Sequence, residues 1–211
     1  MNVLLKHDQD LHIDLSGFSE CINPVLKSFK RDEIMLRPSY DDDDIGFLVS
    51  GTAYLISINL DGQKSIIDYY QEGDVFGKRL CPDAGINAYY IIAKTKCTAL
   101  IFPYKKIISC CHKRCEKHIQ LIDYILRMST RRAHLHIDIL SQRSTKAKLN
   151  YYFKLLNHLN NTRTITLPMS LSDLADYLSV DRSAMMRELK KMNDDGLIVS
   201  HGRKIVLLKD L

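Results

Sequence analysis

Apolar and polar residues alternate in short runs from about residue 28 to residue 102, and turn residues separate the runs. A period of two is typical of strands that bury one face. Asp61-Gly62 stands between two such runs and favours a tight hairpin, because both central residues of a type I′ turn need positive φ. About seven strands at this spacing predict a small antiparallel β-barrel or β-roll.

From about residue 105 to residue 140 the period becomes 3.6, which predicts a long helix. A shorter helix is predicted for residues 14–27. Positions along the long helix recur at alternating spacings of three and four, the heptad pattern of a coiled-coil seam. The pattern favours pairing with the same helix of a second subunit, although packing on the chain's own β-roll is an alternative. The predicted seam consists of Ile119, Ile122, Leu126, Ser129, Ala133, His136 and Leu140.

Two short helices joined by a tight turn are predicted between residues 170 and 191. Ser170 and Asp173 form a capping-box pattern at the start of the first helix, and Asp181 is placed to cap the second. Ser179-Val180 forms the turn. This pattern is typical of a helix-turn-helix, and an ordinary helical hairpin is the alternative.

The second of these helices carries a basic face that suits DNA. Residues in its N-terminal half can reach base edges in the major groove, and the guanidinium fork fits guanine. Arg182 and Arg187 are therefore candidate base readers. Ser170 can offer its backbone N–H and hydroxyl to a phosphate.

Two further alternating runs, residues 196–200 and 204–208, flank the sequence His201-Gly202-Arg203. They predict a hairpin whose tip carries His201, Arg203 and Lys204. Cations clustered at the tip favour a wing beside the DNA backbone over a plain hairpin.

The charge distribution agrees with this prediction. Residues 142–211 hold 12 lysines and arginines against 7 acidic residues, whereas residues 1–141 hold 18 of each. The positive excess thus lies in the segment that is predicted to bind DNA. The chain has 211 residues and no apolar run of membrane length or signal-peptide pattern, and its six cysteines lack disulfide-like spacing. A cytoplasmic protein with free thiols is expected.

The order of predicted elements resembles the CRP/FNR superfamily of bacterial transcription regulators. The resemblance implies an α+β fold in three parts. These are an antiparallel, cupin-like β-roll that resembles effector-binding domains (1–115), a dimerisation helix and hinge (116–143) and a winged helix-turn-helix (144–211). It also implies a homodimer on a pseudo-palindromic double-stranded operator, with RNA polymerase as a partner. The stretches that carry it are Leu48-Val-Ser-Gly-Thr-Ala-Tyr-Leu55, Tyr70-Gln-Glu-Gly-Asp-Val-Phe-Gly77, Ser144-Thr-Lys-Ala-Lys-Leu149 and residues 170–206.

The resemblance also implies roles for single residues. Base contacts are expected from Arg182, Ser183 and Arg187, with Met186 as a further candidate, and phosphate contacts from Asp181, Lys190 and His201. Ser179 stands where a glycine is common, and Ser183 where many members carry a glutamate that reads cytosine. The operator is therefore expected to differ from that of the best-known members.

The effector is not identified by the sequence. Relatives that bind cyclic nucleotides hold the ribose with a Glu and the phosphate with an Arg-Ser pair, and here these positions are Lys78 and Asn87-Ala88. The broken motif argues against cyclic AMP or cyclic GMP, although Lys78 and Arg79 could hold another anion. The candidate pocket residues are Lys78, Arg79, Asn87, Ala88, Ser129 and Thr130.

A second possible sensor lies between the β-roll and the long helix. Cys111, Cys115 and His118 share a helical face, and thiolates with an imidazole can hold zinc or another soft metal, with Cys110 or His112 as a fourth ligand. Neighbouring cations would also favour redox chemistry at these thiols. Plain packing of the cysteines is the alternative.

Two other classes of protein fit the sequence less well. A ligand-binding signalling module without DNA binding would have no use for the basic C-terminal third. An enzyme is not expected, because no oxyanion-hole, catalytic-triad or phosphate-loop pattern accompanies the Cys–His pair.

Overall fold

The computed structural model describes residues 4–8, 11–14, 22–37, 43–77, 80, 86–109 and 116–209. The chain divides into two compact units, Met1–Arg132 and Ala133–Leu211. The three-part division at residues 115 and 143 stays a prediction. None of the described helices has the length and apolar character needed to span a bilayer.

Antiparallel strands make up most of the first unit, as the alternating pattern predicted. One sheet has the order β3-β10-β5-β8, a second has the order β4-β9-β6-β7, and β1 pairs with β2. The strands are β1 Leu4–Asp8, β2 Leu11–Asp14, β3 Val25–Phe29, β4 Ile34–Leu36, β5 Asp44–Ser50, β6 Ala53–Ile58, β7 Lys64–Tyr70, β8 Val75–Gly77, β9 Ala88–Ala93 and β10 Cys97–Pro103.

Strand β5 is buried on both of its faces. Leu48 belongs to the apolar cluster inside the roll, together with Phe76. Phe47 belongs to a second cluster, together with Tyr124 of the long helix, and the two rings stack with centroids 6.0 Å apart. A Cβ at Gly46 would lie 2.2 Å from the Phe76 ring, so only glycine fits beneath that ring. The long helix is thus packed on the outer face of β5.

The helical region after the roll is interrupted. Helix α1 spans Tyr104–Ile108 and is followed by Ser109 in an extended conformation, and helix α2 spans Glu116–Leu140. The prediction of one helix from residue 105 is therefore wrong at Ser109. The short helix predicted for residues 14–27 is wrong at residues 25–27, because these pair with β10 as part of β3. Residues 15–21 of that prediction lie outside the described residues. At residues 25–27, pairing with a distant strand overrides the local periodicity. At Ser109, the apolar period alone does not report an extended residue.

The hairpin at Asp61-Gly62 is present but longer than a two-residue turn. The last pair of β6 and β7 is Ile58 with Lys64, and Gly62 has a φ of +76°. The side-chain oxygen of Asn59 accepts the N–H groups of Asp61 and Gln63 at 3.0 and 2.9 Å. An asparagine side chain thus organises the wider turn.

The second unit is a three-helix domain with a small sheet. Strand β13 pairs antiparallel with both β11 and β12, and β11 is a strand that the sequence did not predict. The remaining elements are α3 Thr145–Asn160, β11 Thr164–Thr166, α4 Leu171–Tyr177, α5 Arg182–Asp194, β12 Ile198–His201 and β13 Lys204–Leu207. A β-roll followed by a long helix and a winged helix-turn-helix confirms the predicted α+β fold.

Candidate functional site

Helices α4 and α5 begin at the predicted caps. The Ser170 hydroxyl accepts the N–H of Asp173 at 3.1 Å, and the Asp181 carboxylate accepts the N–H of Ala184 at 2.8 Å. Each cap satisfies an N–H group that the first helical turn leaves unpaired. The starting points of both helices are therefore fixed by side chains close in the sequence.

The turn between α4 and α5 is supported by Lys148 of α3, a residue that the sequence analysis did not single out. Ser179 has a φ of 51°, in the left-handed region that favours glycine. The Lys148 ammonium of α3 donates to the carbonyl of Leu178 at 2.8 Å and lies 3.5 Å from the carbonyl of Ser179. A cation is favourable at the carboxyl end of a helix. Lys148 thus stabilises the turn, and no local signal marks this role.

Helix α5 has one buried side and one exposed side. Met185, Leu189 and Met192 are buried and hold the helix in the domain. The predicted base readers all lie on the exposed side, and the Met186 side chain is 42% exposed. The exposed set is Arg182, Ser183, Met186, Arg187 and Lys190.

The predicted wing is formed by β12 and β13. Gly202 has a φ of +59° at its tip, where His201, Arg203 and Lys204 are exposed. The N–H of Leu167 donates to the carbonyl of Arg203 at 2.8 Å, which anchors the tip to the end of β11. Exposed cations therefore lie on a fixed hairpin in the same domain as α5.

Helix α2 exposes several large apolar side chains. Ile119, Leu126 and Leu140 of the predicted seam are 68%, 60% and 39% exposed, and Ala133 is also exposed. Ile137, which the prediction omitted, is 60% exposed. An apolar stripe of this kind marks an interaction surface.

The other three seam residues are half-buried. Ile122 packs against the cluster that contains Phe47, and Ser129 donates its hydroxyl hydrogen to the carbonyl of Ile125 at 2.7 Å. The His136 ring stacks on Tyr177 within the second unit. These side chains therefore have neighbours within their own chain.

Arg132 forms an ion cluster that the sequence did not predict. Its Nε and Nη2 donate to the two oxygens of Asp68 at 3.1 and 2.7 Å, and its Nη1 lies 2.6 Å from Asp74 Oδ2. Nη2 also donates to the carbonyl of Tyr69, and the guanidinium lies 4.6 Å from the centre of the Tyr70 ring. The cluster joins α2 to β7 and to the turn that precedes β8.

The charges in this cluster favour the ionised arginine. Burial lowers the pKa of Arg132, but attraction by Asp68 and Asp74 outweighs it and keeps the pKa well above its ordinary value. Tyr124 lies nearby, with its hydroxyl donating to the carbonyl of Gly73 at 2.8 Å. Burial and then the charge of Asp74 raise the pKa of Tyr124. The charge of Arg132 is thus neutralised within the unit.

The predicted effector pocket is described only in part. Lys78 and Arg79 lie outside the described residues. Asn87 is half-buried before β9, and Ala88 is the exposed first residue of that strand. Thr130 is exposed on α2.

The predicted metal or redox cluster is described only at His118. Cys110, Cys111, His112 and Cys115 lie outside the described residues. His118 is buried, and its Nε2 lies 3.4 Å from the carbonyl of Lys106. Within the described parts of the chain, no group of three or more potential metal ligands occurs.

Comparisons with known proteins match both parts of the chain. Residues 26–114 match the cyclic nucleotide-binding domain, and residues 120–211 match the Crp-like helix-turn-helix domain. These domains belong to transcription regulators rather than to enzymes.

The chain is similar to two curated regulators. It is 28% identical to the nitrogen fixation regulation protein FixK of Bradyrhizobium diazoefficiens, over 74% of this chain and 66% of FixK. The chain thus spans just under two-thirds of that relative. It is 26% identical to the transcriptional activatory protein AadR of Rhodopseudomonas palustris, over 83% of this chain and 71% of AadR.

A solved structure shares the fold. FixK2 from Bradyrhizobium japonicum superposes with a TM-score of 0.70 at 18% identity, covering 89% of this chain and 93% of that one. With a cyclic nucleotide-binding-type β-roll and a Crp-like helix-turn-helix in this order, the chain belongs to the CRP/FNR family of transcription regulators.

Proposed function

We propose that the chain acts in the cytoplasm as a homodimer that binds a pseudo-palindromic operator and controls transcription through RNA polymerase. An effector other than a cyclic nucleotide acts on its β-roll. The observation that best supports this proposal is the exposed basic side of α5, together with the exposed cations of the wing in the same unit. An α-helix with this exposed side fits the major groove of DNA, while the wing reaches the flanking phosphate backbone.

The base readers are four exposed residues in the first half of α5. Arg182 and Arg187 each offer a guanidinium fork to the O6 and N7 of guanine. Ser183 offers a hydroxyl, and Met186 offers an apolar side chain that suits a thymine methyl group. Ser183 offers a short neutral hydroxyl that both donates and accepts, in place of a longer acceptor-only carboxylate, so the preferred base at its position is expected to differ from cytosine.

The phosphate contacts surround these readers. Lys190 and the wing side chains supply cations, whereas Ser170 and Asp181 supply backbone N–H groups at the starts of α4 and α5. The Asp181 carboxylate already accepts the N–H of Ala184, so its backbone is the part that faces a phosphate. The proposed set is Ser170, Asp181, Lys190, His201, Arg203 and Lys204.

The dimer forms through α2. Ile119, Leu126, Ala133 and Leu140 recur every seven residues, and all four are exposed. Pairing of this stripe with its copy would remove the apolar surface from water and place two recognition helices on one duplex.

The test is selection of bound duplexes from a random pool, followed by titration of the selected operator. Arg187→Ala is expected to cost about 1–3 kcal/mol and to relax one base position. Lys190→Ala is the matched control, because loss of a phosphate contact weakens all sequences equally. Failure of the wild-type protein to bind any duplex at low salt would overturn the proposal and favour a signalling module without DNA binding.

The effector is proposed to be something other than cyclic AMP or cyclic GMP because Lys78 and Asn87-Ala88 replace the residues that hold those ligands. The proposed pocket comprises Lys78, Arg79, Asn87, Ala88, Ser129 and Thr130. Thermal-shift measurements with cyclic AMP test this directly, since a ligand at 100 times its Kd stabilises by about 2.7 kcal/mol. A large shift with cyclic AMP would contradict it.

A second candidate sensor is the cluster of Cys110, Cys111, Cys115 and His118. His118 is buried with one ring nitrogen near a backbone carbonyl, the second-sphere arrangement that orients metal-ligating imidazoles. Zinc would then raise the melting temperature of the wild-type protein but not that of His118→Ala. An oxidant that changes DNA affinity, with reversal by a thiol, would favour redox sensing instead.

A further inference from the structure

Asn193 joins the recognition helix to the wing. It lies one residue before the end of α5 and is half-buried. Its Nδ2 donates to the carbonyl of Leu189 at 2.8 Å and to the hydroxyl of Ser200 at 2.7 Å. Its Oδ1 accepts the backbone N–H of Ser200 at 2.9 Å. One carboxamide thus binds both the last turn of α5 and the strand β12.

The backbone hydrogen bonds at the end of α5 do not extend to Ser200. Gly196 has a φ of +63° and donates its N–H to the carbonyl of Asn193 at 2.9 Å. The N–H of Leu197 donates to the carbonyl of Met192 at 3.0 Å. These bonds fix only the first residues after the helix, whereas Ser200 directly precedes His201 at the wing.

We infer that Asn193 is a positioning residue for DNA binding, which sets the spacing between the base readers of α5 and the wing residues His201, Arg203 and Lys204. The inference rests on the DNA contacts proposed above. The phosphates of a duplex have a fixed geometry relative to its base edges. A displaced wing therefore loses phosphate contacts while α5 keeps its own.

The type of hydrogen bonding explains why asparagine suits this position. Only a side chain with both a donor and an acceptor satisfies the Leu189 carbonyl and the Ser200 N–H together. Ser200 pairs with Ile205 of β13, so a shift of Ser200 moves both strands of the wing. The carbonyl of Arg203 is held by Leu167 at the other side, and Asn193 supplies side-chain hydrogen bonds from α5 to β12.

The decisive variant is Asn193→Leu, which has a similar size but makes none of these hydrogen bonds. Ser200→Ala is the matched control, because it removes only the hydroxyl contact. Affinity is measured for the selected operator and for a scrambled duplex between about 50 and 200 mM salt. Asn193→Leu is expected to weaken both about tenfold and to lower the salt slope by about 1 to 2, with the operator preference unchanged. Ser200→Ala is expected to change either affinity by less than about twofold.

A double-variant cycle separates positioning from stability. In the His201→Ala/Arg203→Ala/Lys204→Ala background, Asn193→Leu is expected to cause at most about a twofold further loss, because the wing contacts that it would displace are already gone. A full additional tenfold loss would overturn the inference. So would a lower melting temperature of the DNA-binding unit with an unchanged salt slope, since Asn193 would then contribute only to stability.

DNA binding by the wild-type protein distinguishes failure of the proposed function from failure of the inference. If it binds no duplex, the proposed function fails and the inference fails with it. If it binds and Asn193→Leu leaves the salt slope unchanged, only the inference is overturned. Asn193→Ser, whose side chain is too short to reach both partners, repeats the test if the leucine variant does not fold.

Discussion

The imidazole ring of His136 lies flat against the phenol ring of Tyr177, with centroids 4.6 Å apart and 8° between the planes. The Nε2 of His136 also lies 3.3 Å from the carbonyl of Tyr177. Nearby, the hydroxyl of Tyr151 donates to the carboxylate of Asp138 at 3.1 Å. The last turns of α2 are thus fastened to the helices of the DNA-binding unit.

His136→Ala is expected to lower the stability of the second unit by about 1 kcal/mol, because stacked rings contribute about that amount beyond their buried area. Calorimetry of the full chain measures it, with His136→Phe as the control that keeps a stacked ring. The dissociation constant of the proposed dimer is measured on the same variants, because His136 is also a predicted seam residue. A loss of stability without a change in that constant would mean that the stacking on Tyr177 is its main role.

Arg132→Met is expected to destabilise the first unit by about 3–5 kcal/mol, because it leaves Asp68 and Asp74 without their cation. The Arg132 side chain is only 14% exposed, and that of Asp74 is 2% exposed. Urea denaturation of the variant measures the loss. Adding Asp68→Asn and Asp74→Asn to Arg132→Met is expected to recover part of the stability, and a further equal loss would contradict the assigned charge balance.

Ser179→Gly is expected to stabilise the second unit by about 0.5–1 kcal/mol, because glycine adopts the left-handed conformation without a Cβ clash. Ser179→Val is expected to destabilise it by more than that amount. Lys148→Met tests the hydrogen bond that supports the turn, since it removes the donor to the Leu178 carbonyl. Melting temperatures of the three variants provide the comparison, and a stabilising valine would contradict the strain.

The stability of the first unit is expected to fall as the pH rises above about 9, and more steeply above about 10. Burial, followed by the charge of Asp74, raises the pKa of Tyr124 above its ordinary value of 10.0. Burial likewise raises the pKa of the Cys97 thiol above 9.0. The folded state keeps protons that the unfolded chain releases, so this contribution is complete below the ordinary values and is lost at higher pH. Tyr124→Phe is expected to flatten the decline, as measured by melting between about pH 8 and 11.

Leu126→Glu and Ile137→Glu are expected to weaken dimerisation by at least about 100-fold, because pairing would bury an unpaired carboxylate. Gln120→Glu, at another exposed position of α2, is the control and is expected to leave the dimer intact. Sedimentation equilibrium measures the dissociation constants. A dimer that tolerates both glutamates would mean that another surface joins the subunits.

Local patterns were sufficient for the β-roll and the helix-turn-helix. Alternation and the turn residues predicted the strands, and the caps at Ser170 and Asp181 predicted where α4 and α5 begin. Both signals arise from residues close together in the chain. Local rules describe such signals well.

Contacts between distant residues were not predictable in this way. Arg132 meets Asp68 across 64 residues, and Lys148 reaches Leu178 across 30. Ile137 was missed because a strict seven-residue repeat places the seam at His136 in that turn of the helix. The side chains of a straight α-helix rotate by about 20° per heptad relative to such a repeat, so a neighbouring residue can take the seam position. The break at Ser109 was missed because the apolar period alone does not report an extended residue.

Strand β5 separates two apolar clusters, one on each of its faces. Leu48 faces the inside of the roll, and its neighbour Phe47 contacts the ring of Tyr124 on α2. Because both side chains belong to one stretch of backbone, a shift of β5 caused by a change in packing on one face is expected to alter the packing on the other face. A change inside the roll could therefore reach α2 without a channel between the two clusters.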